Sequence, residues 1–485
     1  VKRSKHSLSN TKLLSGNMGK LIPIGLTEVL PGDTIQQATN LLVRCSPLLT
    51  PVMHPVHVKI DHWYVPHRLV WDDWENFITG GPDGLNASTF PTYTINSGSG
   101  FAVGSLGDYF GLPTGVDDIA VSALPFRGYS KIWNEHYRDE DLETALTIDT
   151  TDGADTTTNT TLQNVTWEKD YFTSARPWTQ KGPEISLPLG TEATVRTAVT
   201  AGNAIAIQKS DDSYVSMSTA GAPAAVTVGA SSLTGSSKMF ADLSTASAAT
   251  INELREAFAL QRYEEARARY GSRYTEYLRY LGIRSSDARL QRPEYLGGGK
   301  QVIQFSEVLQ TGVDSADEGV GTLRGHGIGA ARSNRYRRYF EEHGYVFTLM
   351  SVRPKTMYSQ GIPRHFLRAT KEDFWQKELQ FIGQQEVLNK ELYAAHASPN
   401  GVFGYQDRYD EYRRIPSTIA GEFRATLDEW HFARKFASDP TLNGDFVKCV
   451  PTEEPFAVPA NDVLWIMAQH SIQARRLVAK HGTPV

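Results

Sequence analysis

Alternation of apolar and polar side chains is clearest over His57–Pro66 (HVKIDHWYVP), a run rich in β-branched and aromatic residues that reads as a strand. Tyr345–Val352 (YVFTLMSV) is short and almost continuously apolar, the pattern of a strand inside a sandwich core. Ser417–Arg424 (STIAGEFR) and Val463–Ala468 (VLWIMA) read as weaker strands of the same kind. These runs stand far apart and are joined by long connections rather than by alternating helices. The pattern predicts an all-β dominated, antiparallel sandwich of jelly-roll type with long loop insertions. Helices are few. Thr250-Ile251-Asn252-Glu253 has the form of a capping box, and Leu254 and Phe258 share one face of the helix it opens. A second helix is predicted within Lys371–Ala394, where Trp375, Leu379 and Ile382 fall at i, i+4 and i+7.

The middle of the chain is built differently. Residues 191–250 are more than half Ala, Ser and Thr, with few charges. Alternation in Ala204–Gln208 (AIAIQ) and Ala225–Val228 (AVTV) predicts short strands, so a protruding β-rich insertion is expected rather than a linker. The Thr/Asn/Asp-rich stretch Asp149–Thr161 reads as an exposed loop.

Charge changes the picture at the two ends. The net charge is −5, yet Lys2, Arg3, Lys5, Lys12 and Lys20 precede the first carboxylate, Glu28. This segment shows no helical or strand period and suits contact with phosphates or a solvated tail. After Asp462 no acid follows, while Arg475, Arg476 and Lys480 do. These eight residues are the candidates for nucleic-acid contact. The longest strongly apolar stretch, Val463–Ala468, is far short of the roughly 20 residues a spanning helix needs, so no membrane insertion is expected. No apolar segment of about 7–15 residues follows the basic start, so no signal peptide is expected. Two cysteines, Cys45 and Cys449, cannot form a disulfide framework and point to a reducing compartment.

Catalytic and metal chemistry find little support. His54, His57 and His62 lie near Asp61, but their spacing fits no zinc pattern and they read as structural. Gly297-Gly298-Gly299-Lys300 lacks the spacing of a phosphate loop, and both it and Gly319–Gly329 read as loops. No cofactor, metal or enzymatic activity is expected. Two basic–aromatic clusters carry more. Arg262–Tyr280 includes Arg262, Tyr263, Tyr270 and Tyr274, and Arg332–Phe340 includes Arg337 and Tyr339. Such residues stack unpaired bases or form protein interfaces. Glu264, Glu265 and Glu276 favour the interface reading for the first cluster, while the second is free of acids until Glu341 and leaves both readings open. The six named residues are the subunit-interface candidates.

Six strings recur in order along the chain: Leu21–Thr34 (LIPIGLTEVLPGDT), Trp71–Gly81 (WDDWENFITGG), Leu124–Asp139 (LPFRGYSKIWNEHYRD), Asp170–Gly182 (DYFTSARPWTQKG), Asp287–Gly299 (DARLQRPEYLGGG) and Phe403–Arg413 (FGYQDRYDEYR). Together they resemble the major capsid protein of microviruses, the small single-stranded DNA bacteriophages, in their gokushovirus-like branch. The resemblance implies an eight-stranded jelly-roll shell domain, discontinuous over 41–184 and 251–485. Residues 1–40 would form a basic arm and lead-in segment, and 185–250 a threefold surface protrusion used in host attachment. It further implies a virion protein assembled in the bacterial cytoplasm as sixty copies, through pentameric intermediates, around circular single-stranded DNA. Implied partners are other copies, the genome, the phage's minor DNA-binding, pilot and scaffolding proteins, and a host receptor. Five arm charges on sixty copies would neutralise only about 300 phosphates, which leaves work for a separate basic protein. Two rival readings are a carbohydrate-binding β-sandwich and a hydrolase on a β scaffold. The first is disfavoured by the basic arm, the second by the lack of any catalytic motif.

Overall fold

Ten segments of the chain pair into one antiparallel sheet: β1 (Ser4–Ser7), β2 (Asn10–Gly16), β3 (Ile22–Val29), β4 (Thr34–Cys45), β5 (Val56–Pro66), β6 (Glu294–Leu309), β7 (Leu323–Arg332), β8 (Tyr336–Tyr339), β9 (Gly344–Pro354) and β10 (Leu464–Arg476). The computed structural model describes residues 3–183 (apart from 83, 84, 86, 96 and 97), five strands between 194 and 242, residues 251–270, 276, 279, 280 and 282, and 292–480 (apart from 312–318 and 320). The eight-strand path runs β1-β10-β4-β7-β6-β5-β9-β3, with β2 continuing β1 along β10 and β8 pairing with β4. β6 belongs to both halves: Glu294–Ile303 pairs with β5 and Gln304–Leu309 pairs with β7. The sheet thereby curls into a sandwich of jelly-roll type, and its inward residues make one core. That core joins Ile22 and Ile24 of β3, Leu41 and Val43 of β4, Val58 and Ile60 of β5, and Leu464 and Ile466 of β10.

A chain of buried hydrogen bonds crosses this core. The Tyr336 hydroxyl donates to Gln37 Oε1 (2.8 Å), and the Gln37 amide donates to Thr348 Oγ1 (3.1 Å). His62 bridges Thr348 Oγ1 and Ser333 Oγ, each at 3.0 Å. The Thr39 N–H donates to Ser333 Oγ (2.8 Å), and the Thr39 hydroxyl meets His470 Nδ1 at 2.9 Å. His470 Nε2 then donates to the Ile24 carbonyl (3.0 Å), tying β10, second along the path, to β3 at its far end. Gly25 is required there, because a Cβ would lie 2.9 Å from the His470 ring.

The two halves differ on their outer sides. Over β5 and β9 the sheet is covered by the helix Leu124–His136, which packs Phe126, Tyr129 and Trp133 with Trp63, Phe347 and Leu349. Gly128 lets the helix approach closely, since a Cβ there would come within 2.6 Å of the Phe347 ring. Arg127 on this helix is fully buried, donating to Asp155 (2.7 Å) and to the carbonyls of Val70 and Thr151 (each 3.1 Å). Asp149–Thr161 is thus a loop pinned to the helix through Thr151 and Asp155. The outer side of β10, β4 and β7 carries exposed residues along its length.

Several expectations are corrected. The basic start is no aperiodic arm: β1 and β2 run along β10 from Ser4↔Arg476 to Gly16↔Leu464, turning Leu14 into the core. Gly297–Lys300 lies inside β6, at a bulge between Tyr295 and Gly297. Gly297 there has φ +135°, and a Cβ on Gly299 would lie 2.2 Å from the Arg332 carbonyl. Much of Gly319–Gly329 belongs to β7, whose inward Gly327 packs against Cys45 and Phe305. Lys371–Ala394 forms no long helix. A 3₁₀ turn at Lys371–Asp373 gives way to turns, the strand Gln384–Leu388 and a short helix Asn389–Leu392. Its periodic Trp375 and Ile382 are exposed, so they have no core against which to hold a helix. Ser417–Arg424 makes only a single bridge, Thr418 to Tyr358, before a 3₁₀ turn at Gly421–Arg424.

The chain divides into two compact units, 1–179 with 268–485, and 180–267. In the second, the strands Thr194–Thr197, Ile205–Gln208, Tyr214–Thr219, Val226–Ala230 and Ser237–Asp242 form a five-stranded sheet, and the short strands expected near 204–208 and 225–228 are present. The helix expected after Thr250 spans Ile251–Tyr270, and its capping residue lies outside the described residues. Among the described residues no helix is long and apolar enough to cross a membrane.

Burial lowers the His62 pKa to about 3, with the neighbouring His470 adding to the shift. An unfolded histidine gains its proton near pH 6.5, so between about pH 6.5 and 3 the unfolded chain binds more protons and stability falls as pH falls. The expected outcome is that H62Q flattens the pH dependence of unfolding free energy between pH 6 and 4.5 by about 1.4 kcal/mol per pH unit. Denaturant titrations of both proteins across that window measure it.

Candidate assembly and nucleic-acid surfaces

Strict alternation in β10 buries Leu464, Ile466, Ala468, His470, Ile472 and Ala474 and turns Trp465, Met467, Gln469, Ser471, Gln473 and Arg475 outward. β4 and β7 alternate in the same sense, exposing Arg44 on one and Arg324 and Arg332 on the other. None of β1, β2, β4, β7, β8 and β10 contains a carboxylate. The outer side of this half-sheet is therefore a bare face with Lys5, Arg44, Arg324, Arg332, Arg337 and Arg475 exposed on it.

Register sets the spacing of these charges. Lys5 lies opposite Arg475, and Arg475 opposite Thr34. Gln473 lies opposite Gln36, and Gln36 opposite Arg337. A recess of about 450 Å³ is lined by Arg3, Lys5, Arg337 and Arg475 with Thr34, Gln36 and Gln473. Arg3 donates to the Gly32 carbonyl (3.0 Å) and stacks 5.6 Å above the Tyr339 ring. Four cations converge here on polar neighbours, an arrangement that attracts phosphate.

Not every candidate named from sequence joins this face. Lys12 points inward, its ammonium hydrogen-bonded to the carbonyls of Pro23 and Tyr109, and burial lowers its pKa. Lys20 donates to Asn164 Oδ1 (2.8 Å). Arg476 is held by buried Asp33 (2.9 Å). Lys480 is exposed, and Lys2 lies outside the described residues. Of the interface candidates, Arg337 and Tyr339 belong to the basic face. Arg262 and Tyr263 are exposed on the helix Ile251–Tyr270, where Arg267 stacks 5.6 Å above Tyr263. The side chain of Tyr270, and Tyr274 altogether, lie outside the described residues. Sequence reasoning missed Arg44, Arg324 and Trp465. The alternation of LWIMAQHSIQARR held the signal for Trp465, but only the sheet order brings the three together.

A second surface is apolar. The loops between 363 and 416 expose Phe366, Phe374, Trp375, Phe381, Ile382 and Ile415, with Phe381 at 85% and Ile415 at 90% of full exposure. They are held in place from beneath. Arg364 pairs with Glu391 (2.7 Å), Arg368 with Glu411 (3.4 Å), and Arg368 stacks 4.4 Å above the Tyr412 ring. A cavity of about 390 Å³ opens beside Ile415, between Tyr171, Phe172, Tyr358 and Tyr412. So many exposed apolar side chains within one stretch of chain are the mark of a contact surface.

The histidines singled out from sequence do not converge on a metal. His62 belongs to the buried hydrogen-bond chain, and His54 Nε2 donates to the Lys355 carbonyl (2.7 Å). Among the described residues no group of three or more His, Cys, Asp or Glu side chains could hold an ion. Both cysteines are buried thiols, pushed up to about 12 by burial.

A β-sandwich with one covered side, one side with basic residues exposed and loops that expose large apolar residues fits a structural protein that works in association with other molecules. Comparison with known proteins makes this specific. The chain belongs to the phage capsid proteins: residues 1–484 match the family described as "Capsid protein (F protein)". It is 38% identical over 466 residues to capsid protein VP1 of Bdellovibrio phage phiMH2K, covering 91% of this chain and 87% of that one. Identity to capsid protein VP1 of Chlamydia phage 1 is 33% over 548 residues, covering 95% and 91%. For capsid protein VP1 of Spiroplasma virus 4 it is 33% over 491 residues, covering 92% and 88%. The chain is thus a virion protein that associates with itself in a capsid.

Removing charge from the basic recess tests its affinity for phosphate. R337E and R475E are each expected to weaken binding of a single-stranded oligonucleotide and to lower the slope of log affinity against log salt by about 0.7. Fluorescence anisotropy at several salt concentrations measures both.

Proposed function

We propose that sixty copies of this chain close into an icosahedral shell around circular single-stranded DNA, with the bare face of β10, β4 and β7 turned towards the genome. The carboxylate-free composition of that face carries the reading. Ordinary surfaces intersperse both signs of charge, whereas the strands β10, β4 and β7 carry only cations and neutral groups. Backbone contact of this kind needs no base sequence, as packaging a whole genome requires.

Contacts between copies fall to the apolar loops around Phe381 and Ile415. Self-association buries such residues as the centre of an interface with a polar rim. The unit 180–267, which includes the Ala/Ser/Thr-rich stretch 185–250, is the surface protrusion in this reading and the candidate for host attachment. The charge supply remains short of a whole genome, which leaves a role for a small basic partner, beside the pilot and scaffolding proteins of the phage. The shell has no catalytic task.

Two experiments test this. F381D and I415D should leave a folded, soluble chain and abolish closed particles in negative-stain micrographs; particles at wild-type yield would remove these loops from the interface. Deleting residues 1–16 strips β1 and β2 from β10 and removes Leu14 from the core, so soluble protein should fall together with nuclease-protected DNA. The double variant R3A/K5A should lower protected DNA alone. Loss of soluble protein in that double variant would contradict the genome-facing role.

A further inference from the structure

We infer that the apolar end of the bare face, centred on Trp465, is a stacking site for an unpaired base of single-stranded nucleic acid; this rests on the reading that the face meets the genome. Trp465 is 50% exposed in a strand whose alternate residues are buried. Its cross-strand neighbour is Arg44, and the next neighbour in the same row is Ile328. Directly opposed residues on one face stand about 4.5–5.5 Å apart at Cβ, so an indole, a guanidinium and an aliphatic side chain lie within the span of one nucleotide. The row borders a groove of about 620 Å³ between Leu48, Val308 and Arg324, with Gly325 and Gly327 in its lining.

The chemistry separates the possible occupants. A base can lie flat on an indole whatever its identity, because every base has a π-face, while an adjacent guanidinium takes the phosphate. A duplex offers no free base faces, so the site selects single strands. A second copy docking here would have to bring a carboxylate for Arg44, since β4 and its two neighbours, β10 and β7, have none. The groove also shares its sheet face with the recess lined by Lys5, Arg337 and Arg475. One strand of nucleic acid could then be held by phosphates at one end and by a stacked base at the other.

Anisotropy of labelled oligo(dT) and of an abasic oligomer of equal length, added to the full chain, tests the site. W465A should weaken oligo(dT) binding on the order of tenfold at every salt concentration, W465F should weaken it less, and neither should alter binding of the abasic oligomer. R337E/R475E should weaken both oligomers alike. The inference is overturned by W465A binding oligo(dT) as the wild type does, or losing both oligomers equally. Intact oligonucleotide binding with loss of particles would also overturn it, and would make the groove a contact between copies. If R337E/R475E leaves both oligomers unaffected, the genome-facing reading itself fails, whatever the Trp465 variants show.

Discussion

Everything outside the core depends on the hydrogen-bond chain from Tyr336 through Gln37, Thr348, His62, Ser333, Thr39 and His470 to the Ile24 carbonyl. Apolar packing alone tolerates a slipped strand, because one aliphatic row resembles another. A buried polar group does not, since a lost partner costs about 1–3 kcal/mol. The chain touches β3, β4, β5, β8, β9 and β10, so it pins their registers together. Slippage of β10 by one residue would exchange its faces, sending Arg475 inward and Ile472 out. The basic face therefore exists because the core specifies register.

The same constraint explains why the charges sit where they do. One side of the sandwich is sealed by the helix Leu124–His136 and its pinned loops, with Arg127 and Asp155 as a buried pair. Burial alone would raise the Asp155 carboxyl, but hydrogen bonds from Thr158 and Arg127 more than offset this and hold it low. The other side is left bare, and its outward positions are free to carry arginine without any effect on packing. Long loops supply what the sheet does not. Salt bridges of Arg364 and Arg368 with Glu391 and Glu411 tie down part of these loops; apolar side chains left in solvent on them are unfavourable for a lone subunit and useful only when another molecule covers them.

Fold class was readable because His57–Pro66 and Tyr345–Val352 carried strong local patterns and Val463–Ala468 a weaker one, and all three lie within or across observed strands. The N-terminal strands were not readable. Apart from Leu13 their outward residues are polar, few of their side chains turn inward, and their extended form is imposed by the open edge of β10. Glycine hid two more strands, since Gly297–Gly299 and Gly325–Gly329 serve a bulge and close packing rather than turns. At Lys371–Ala394 the helical period marked side chains that stay exposed. The basic face could not be read linearly either, because Lys5, Arg44, Arg337 and Arg475 share one face only through sheet order. Lys12 matched the right composition and points inward, and Lys20 is half-buried with its ammonium on Asn164.

The orientation of the sheet in an assembled particle tests the central claim most directly. A cryo-electron microscopy reconstruction of DNA-filled particles, read at the level of strands, would locate the face bearing Trp465, Arg44 and Arg475. The account predicts that this face lines the interior and lies against nucleic-acid density. Finding it on the particle exterior, or sealed between neighbouring copies with no density beside it, would contradict the account.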